Sequence, residues 1–453
     1  MECSKRDEIE EEVLRAVRPT SFQLRSLGRV YDLIRSALDR TLSSRGLKYV
    51  IEAEGSYAKG TLLRDRWEMD VFVLFKEVNE DWVLKESLGV ISDGLSGLPT
   101  IRKYSEHPYL TVSLMGIEVD VVPATYSDTP SLGLGVGRTP FHTRFVKSRL
   151  TDCQADDVRL LKSFLKGINA YGAEVQVGGF SGYMAELLVL TYGSFRGALK
   201  AMSSWRPRTF IDPSGKGSRS ELEERYPDSP LIVVDPVDPR RNAAAAVTPE
   251  KLSLAVLAAK LYLERPSRSF FHVFSDLVEL RVKPPLLLIT CRGDYFLHPP
   301  EAVWGKLARL SRELRSELEN AGFTTLRASY FTDEGSVSAI GVALASGTLI
   351  GLEVLEGPDA WADVSNIRAF IARRLEEGGL WAGQRLYGFR RWRRPEALRV
   401  AEGWLSQRVH ELGQTCAAIA LEGEGGPLPQ LPRPVRDWVW REFYTVPSWL
   451  AGR

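Results

Sequence analysis

The sequence lacks any apolar run near the roughly 18 residues that a membrane span requires, so no transmembrane helix is expected. Cysteine is scarce: Cys3, Cys153, Cys291 and Cys416 are scattered and form no CxxC pair. That spacing speaks against structural zinc and predicts a reduced, cytoplasmic protein. An excess of either charge is missing too, because 59 Lys and Arg stand against 58 Asp and Glu for a net charge of +1. A nucleic-acid surface on such a chain must be local and balanced by acidic faces elsewhere. The stretch from Met1 to Val17 is charged from its start, which does not suit a secretion signal. No internal repeat is present.

What remains describes a large folded protein. Its 453 residues are 44% hydrophobic and 26% charged, which suits a multidomain globular chain of about three domains. Helices are predicted over Asp7–Val17 and around Leu24, Leu27, Tyr31, Ile34 and Leu38. The texture then changes to strands at Tyr49–Ala53, Met69–Phe75, Leu110–Leu114 and Ile117–Val122. A mostly helical stretch follows, with Val158, Leu161 and Leu165 on one helix and Tyr183–Phe195 on another, capped by Ser181. Leu231–Val234 reads as a short strand. From Leu286 the pattern is strand, helix over Trp304–Leu318, then strands at Thr325–Phe331, Val337–Leu344 and Thr348–Leu355. Trp304, Leu307, Leu310, Leu314 and Leu318 are read as core. A helical tail rich in Arg and Trp closes the chain.

One constellation carries chemistry. Gly55-Ser56 forms a turn before Glu68-Met69-Asp70, and Asp120 lies inside a later strand. Residues two apart on a strand share a face, so Glu68 and Asp70 converge, and Asp120 from a neighbouring strand completes three acids. Carboxylates gathered in this way repel one another unless a cation neutralises them. Mg²⁺ does so with carboxylate and phosphate oxygens, and a metal pair can hold both the attacking and the leaving oxygen. Gly55 lets backbone approach a triphosphate, and the Ser56 hydroxyl can donate to it. Glu118 shares the face of Asp120 and reads as a neighbour. Together these features resemble the polymerase-β-like nucleotidyltransferases.

Longer strings resemble the archaeal class of CCA-adding enzymes. They include Gly-Ser-Tyr-Ala-Lys-Gly-Thr at 55–61, Glu-His-Pro-Tyr at 106–109, Glu-Val-Asp-Val-Val-Pro at 118–123 and Arg-Thr-Pro-Phe-His at 138–142. Val-Arg-Leu-Leu-Lys at 158–162, Tyr-Gly-Ala-Glu at 171–174, Gly-Phe-Ser-Gly-Tyr at 179–183 and Val-Asp-Pro-Val-Asp at 234–238 follow in the same order. The resemblance is dense over 50–245; beyond, it is one of texture.

It implies an α+β multidomain fold: a nucleotidyltransferase head over 1–145, a helical neck over 146–265, and an α/β body with a helical tail over 266–453. It implies addition of C, C and A to the 3′ end of tRNA from CTP and ATP. Glu68, Asp70 and Asp120 would be catalytic and hold a pair of Mg²⁺ ions. Gly55, Ser56, Lys59, Lys162 and Tyr171 would hold the triphosphate, with His142 near the nucleotide and Arg241 at the base. Glu106 and His107 would flank the site. Lys59 stands where relatives carry Arg, and meets phosphate without a bidentate fork.

The dense basic run Arg390, Arg391, Trp392, Arg393 and Arg394 suits RNA through phosphate contacts and stacking; the alternative is a solvated helix face. Trp205-Arg206-Pro207-Arg208 is a lesser candidate. The acceptor and T arms of tRNA are the expected partner, no membrane is expected, and monomer and homodimer both stay open. A poly(A)- or oligoadenylate-type enzyme, or an inert RNA-binding protein, are the competing readings.

Overall fold

Local signals start the helices. In the computed structural model, which describes residues 6–104, 108–129, 135–349, 352–391, 396–421 and 431–452, Asp7 caps α1 (Glu8–Val17) in a reciprocal box with Glu10. That box satisfies donors left open at the helix start. Thr20 caps α2 (Ser21–Ser44), which buries Leu27, Val30, Ile34, Leu38 and Leu42. Then come β1 (Lys48–Glu54), the four-residue α3 (Gly55–Ala58) and β2 (Glu68–Lys76). Two short helices, α4 (Glu80–Lys85) and α5 (Ser87–Gly94), precede β3 (Thr100–Tyr104), β4 (Pro108–Leu114) and β5 (Ile117–Thr125).

These strands form one sheet in the order β1-β2-β5-β4-β3. β2 and β5 run parallel, and the other neighbours run antiparallel. Alternation along β2 decides what faces where. Met69, Val71, Val73 and Phe75 pack into a core with α2 and α5, while Phe72 and Leu74 belong to a separate cluster with Val122 and Ala124. Asp70 shares that second face by period two.

The helical part follows: α6 (Thr139–Lys147), α7 (Asp152–Gly167), α8 (Gly182–Tyr192) and α9 (Phe195–Met202). The expected helix Tyr183–Phe195 divides in two. Gly193 takes a left-handed φ of 83° at the end of α8, and Ser194 caps α9, so glycine stops one helix where a cap begins the next. β6 (Thr209–Ile211) and β7 (Leu231–Val233) pair in parallel. Phe164, Phe195, Tyr262, Phe270 and Phe271 fill the core of this region. Trp205 is buried and stacks on Phe180, so it is core, while Arg206 and Arg208 are exposed.

The chain divides into two units, Met1–Asp276 with Pro447–Arg453, and Leu277–Val446. Trp449 packs on Phe270 within the first unit. In the second, Thr325–Thr332, Val337–Leu344, Leu286–Arg292 and Thr415–Leu421 form an antiparallel sheet in that order. Helices Pro300–Asn320 and Ala397–Ser406 contribute to the core on one face and Arg433–Phe443 to that on the other. Trp304 is only half-buried, its indole N–H donating to Glu334; Val303 takes the core position instead.

Two expectations are corrected here. Cys291 and Cys416 face each other across paired strands and form a disulfide, so the chain is not fully reduced. The tail is not wholly helical: Arg385–Arg391 is the central strand of a sheet with Leu352–Asp359 and Gly378–Ala382. Leu386, Gly388 and Arg390 alternate with Tyr387, Phe389 and Arg391, a period-two run of aromatic residues that favours strand. Among the described residues, no helix is long and apolar enough to cross a membrane.

Candidate active site

Strand register gathers the acids. Asp70 on β2 lies opposite Asp120 on β5, and Glu68 lies opposite Glu118. On its other side Asp70 lies opposite Glu54 of β1, and Asp120 lies opposite Thr111 of β4. Glu54, Asp70, Asp120 and Thr111 therefore form one row across four strands. The Thr111 hydroxyl donates to Asp120 Oδ1 at 2.6 Å and fixes that carboxylate. Gly55 sits at φ +66°, and a Cβ there would collide with the Asp70 carboxylate. Only glycine allows the turn to close against the row.

The row holds more negative charge than it balances. Loss of water, then repulsion from Asp120 and Glu68, pushes the Asp70 carboxyl up to about 6, with Lys59 opposing. Burial likewise pushes Glu54 up to about 7, and its Oε2 has no hydrogen-bond partner. Glu54 was not singled out from sequence; its period-two spacing along β1 is the signal that could have found it. Glu68 is exposed and meets Arg66 Nη1 at 3.3 Å. Among the described residues, no three acid, His or Cys side chains are already drawn into a metal-ligand set. The uncompensated charge nevertheless fits a divalent cation, which would relieve the repulsion around Asp70.

Beside the row lies a fully buried cluster centred on Glu186, a residue that sequence reasoning missed. Glu186 accepts from Lys59 Nζ at 2.6 Å, from the Thr61 hydroxyl at 2.6 Å and from Lys162 Nζ at 3.3 Å. Lys162 also donates to the Thr61 carbonyl at 3.2 Å and hydroxyl at 3.0 Å. Its three ammonium donors are thereby matched within the protein. Arg159 holds the backbone around Thr61 by donating to the Gly60 and Leu62 carbonyls. Lys162 is not the surface lysine its helical setting first suggests: it is 2% exposed. Burial pulls its pKa down to about 8 against the pull of Glu186. For Glu186 burial works upward, and the two lysines overcome it, leaving the carboxyl below its ordinary value. A Cβ at Gly182 would stand 2.9 Å from the Tyr171 hydroxyl and 3.5 Å from Lys162 Cε, so glycine leaves room for both side chains.

A second buried carboxylate, Asp235, gathers the other candidates. His142 Nε2 lies 2.9 Å and Arg241 Nη1 3.0 Å from its Oδ2. The Tyr183 hydroxyl and the Val237 N–H each donate to Oδ1 at 3.0 Å. The His142 ring stacks on Tyr183 at 4.0 Å. Burial acts to raise the Asp235 pKa, but His142, Val237 and Arg241 prevail and hold it down at about 2.

Gly55 and Ser56 open α3, next to the row. Glu106, His107, Trp392, Arg393 and Arg394 lie outside the described residues. Arg390 and Arg391 end a strand, where Arg390 lies 3.9 Å from Glu377. The solvated helix face considered for this run is thus not helical at its first two residues.

The nucleotidyltransferase domain family matches residues 35–152, and the family "tRNA nucleotidyltransferase, second domain" matches 156–272. Over 393 residues the chain is 45% identical to the CCA-adding enzyme of Aeropyrum pernix, covering 85% of this chain and 84% of that protein. It is 36% identical to the CCA-adding enzyme of Saccharolobus shibatae, covering 87% and 91% respectively. A solved poly(U) polymerase aligns with a TM-score of 0.46 at 16% identity, covering 58% of this chain and 97% of that one. Identity this high, running through both matched domains and beyond them, decides the matter: the chain belongs to the archaeal CCA-adding enzymes.

Proposed function

We propose that this chain adds and repairs the 3′-terminal CCA of tRNA in the cytoplasm, using CTP and ATP, releasing pyrophosphate and needing no nucleic-acid template. The observation that carries the reading is the in-register Asp70–Asp120 pair with Gly55 closed against it. In the reaction the RNA 3′-oxygen bonds to the α-phosphorus as the bond to pyrophosphate breaks. Nucleotidyltransferases generally use a divalent metal, and here Glu68, Asp70 and Asp120 would hold two Mg²⁺ ions. When bound, such a pair supplies neutralising charge for phosphate and for both reacting oxygens.

Gly55 gives a triphosphate close approach to backbone, and Ser56 offers it a donor. Lys59, Lys162 and Tyr171 bring positive charge and a hydroxyl to the same side. Arg241 reads the base, with His142 next to it. A guanidinium only donates hydrogen bonds. Cytosine and adenine present a bare ring nitrogen on their pairing edge, whereas uracil and guanine present a ring N–H there. One arginine can thus accept C and A and reject U and G. Glu106 and His107 flank the site. The head of 1–145 and the neck of 146–265 would share the nucleotide. The body and tail of 266–453 would grip the acceptor and T arms, with Arg390, Arg391, Trp392, Arg393 and Arg394 on phosphates and bases.

The test is product length on tRNA lacking its terminal CCA, given CTP and ATP separately and together. Three added residues, in the order C, C and A, are expected. Long tails from ATP alone would identify a poly(A)-type enzyme, and binding without addition an inert RNA-binding protein.

A further inference from the structure

Glu186 and Asp235 belong to none of the roles assigned above, yet each holds two of the groups given to the nucleotide. We propose that they are positioning residues with separate duties: Glu186 sets the cations that receive the triphosphate, and Asp235 sets the side chains that read the base. This rests on the nucleotide roles proposed for Lys59, Lys162, His142 and Arg241.

Glu186 faces two lysines that repel each other, and lysine side chains carry considerable rotamer freedom. Its two oxygens take one ammonium each, Lys59 on Oε2 and Lys162 on Oε1. Thr61, 0% exposed, bridges Lys162 to the same carboxylate. Both ammonium groups are therefore held at fixed points before any phosphate arrives, which removes an ordering cost from binding. Without Glu186, Lys162 would be a desolvated cation lacking a counter-charge.

Asp235 works on planar groups. Its carboxylate is itself fixed, by the Val237 N–H and the Tyr183 hydroxyl on Oδ1. An ionised carboxylate only accepts, so His142 must carry its proton on Nε2 where the two meet at 2.9 Å. Arg241 spends Nη1 on Oδ2. Because the guanidinium is rigid, tying one nitrogen aims the remaining donors. Tyr183 and Glu186 stand three apart on α8, on one face of the helix. One helical turn thus separates Tyr183, which holds the base-side anchor, from Glu186, the phosphate-side anchor.

Equilibrium binding of all four nucleoside triphosphates, without RNA, tests the division. Asp235→Asn is expected to weaken CTP and ATP by roughly tenfold or more, on the scale of a lost charge-assisted hydrogen bond, with UTP and GTP changing little. Glu186→Gln is expected to weaken all four by a common factor, again roughly tenfold, leaving preference intact. A purely structural role would shift every nucleotide alike in Asp235→Asn, and in Glu186→Gln would weaken unphosphorylated cytidine and adenosine as much as CTP and ATP; either result overturns the proposal. So does an unchanged preference in Asp235→Asn. A second check is the pair Asp235→Asn with Arg241→Ala, whose base preference should match Arg241→Ala alone if Asp235 acts through Arg241. Should a substitution unfold the chain, Glu186→Asp and Asp235→Glu keep the charge, move it by one methylene, and are read the same way. A wild type that binds CTP and ATP preferentially but adds nothing to tRNA overturns the function while leaving the anchors standing.

Discussion

Two sets of carboxylates in the first unit are folded in opposite ways. Glu54, Asp70 and Asp120 line up across β1, β2 and β5, and burial pushes up the pKa values of Glu54 and Asp70, with too little positive charge nearby to oppose it. Glu186 and Asp235 are buried too, yet both are held below their ordinary values, because lysine, histidine, arginine and hydroxyl donors surround them. Depth alone therefore does not decide the state of a buried acid; the partners do. The row keeps an unmet demand for positive charge, which is what a site for metal and triphosphate requires. The anchors have met theirs and are left to fix geometry.

Catalysis should separate the two sets most sharply. Asp70→Ala or Asp120→Ala is expected to bring single-nucleotide addition below roughly one per cent of wild type, with tRNA affinity nearly kept. Transfer above that level would remove the acid in question from the catalytic set.

Stability should separate them by sign. Asp70 is raised from 3.8 to about 6, so the folded chain prefers its protonated form. That contribution is fully present below about pH 4 and is lost as pH rises through 6. With a chelator present at pH 8, Asp70→Asn should then stabilise the protein, by no more than about 3 kcal/mol, and near pH 4 the gain should vanish. Glu186→Gln should instead destabilise by roughly 3–5 kcal/mol, because it strands buried lysines. Thermal melts across pH decide this, and equal signs at pH 8 would erase the distinction.

A smaller effect probes what the Asp235 side is for. Arg241→Ala should weaken use of CTP and ATP and raise relative UTP misincorporation, at a cost of about 1–3 kcal/mol of discrimination. If incorporation of C, A, U and G fell by one factor, Arg241 would be a phosphate or structural residue.

Asp70 and Asp120 of the row were legible in sequence because period two and a Gly-Ser turn are local signals; Glu54, their neighbour on β1, was not. The sheet was legible too: Met69–Phe75 and Ile117–Val122 lie within the observed strands. The anchors were not. Glu186 pairs with Lys59 across 127 positions and Asp235 with His142 across 93, and no local pattern records such distances. One trace exists: Glu186 is the only charge in α8, amid Leu187, Leu188 and Val189, and a lone acid on an apolar helix needs a partner. The Cys291–Cys416 bond, closed over 125 positions, was missed for the same reason. Arg390 and Arg391 belong to a strand rather than a helix, as the alternation in Leu386-Tyr387-Gly388-Phe389 before them favours.

That run supplies the smallest effect, and it contrasts the second unit with the first. The charges around Glu186 and Asp235 in the first unit are spent inside, on named partners; the arginines at 390, 391, 393 and 394 are the densest positive charge in a tail belonging to a chain near neutrality. Arg390 stands on the strand Arg385–Arg391, half-buried. Arg390 lies 3.9 Å from Glu377, a carboxylate that competes with phosphate for it. Replacing all four by Gln should therefore weaken tRNA binding and flatten its salt dependence, by up to roughly 0.7–0.9 log unit per lost phosphate contact. Turnover on a minihelix too short to reach the tail should hardly change, since Asp70 and Asp120 are untouched. Affinity across a salt series is the measurement. Identical slopes for wild type and the fourfold variant would free these arginines from RNA and move its path to the exposed Arg206 and Arg208 of the first unit.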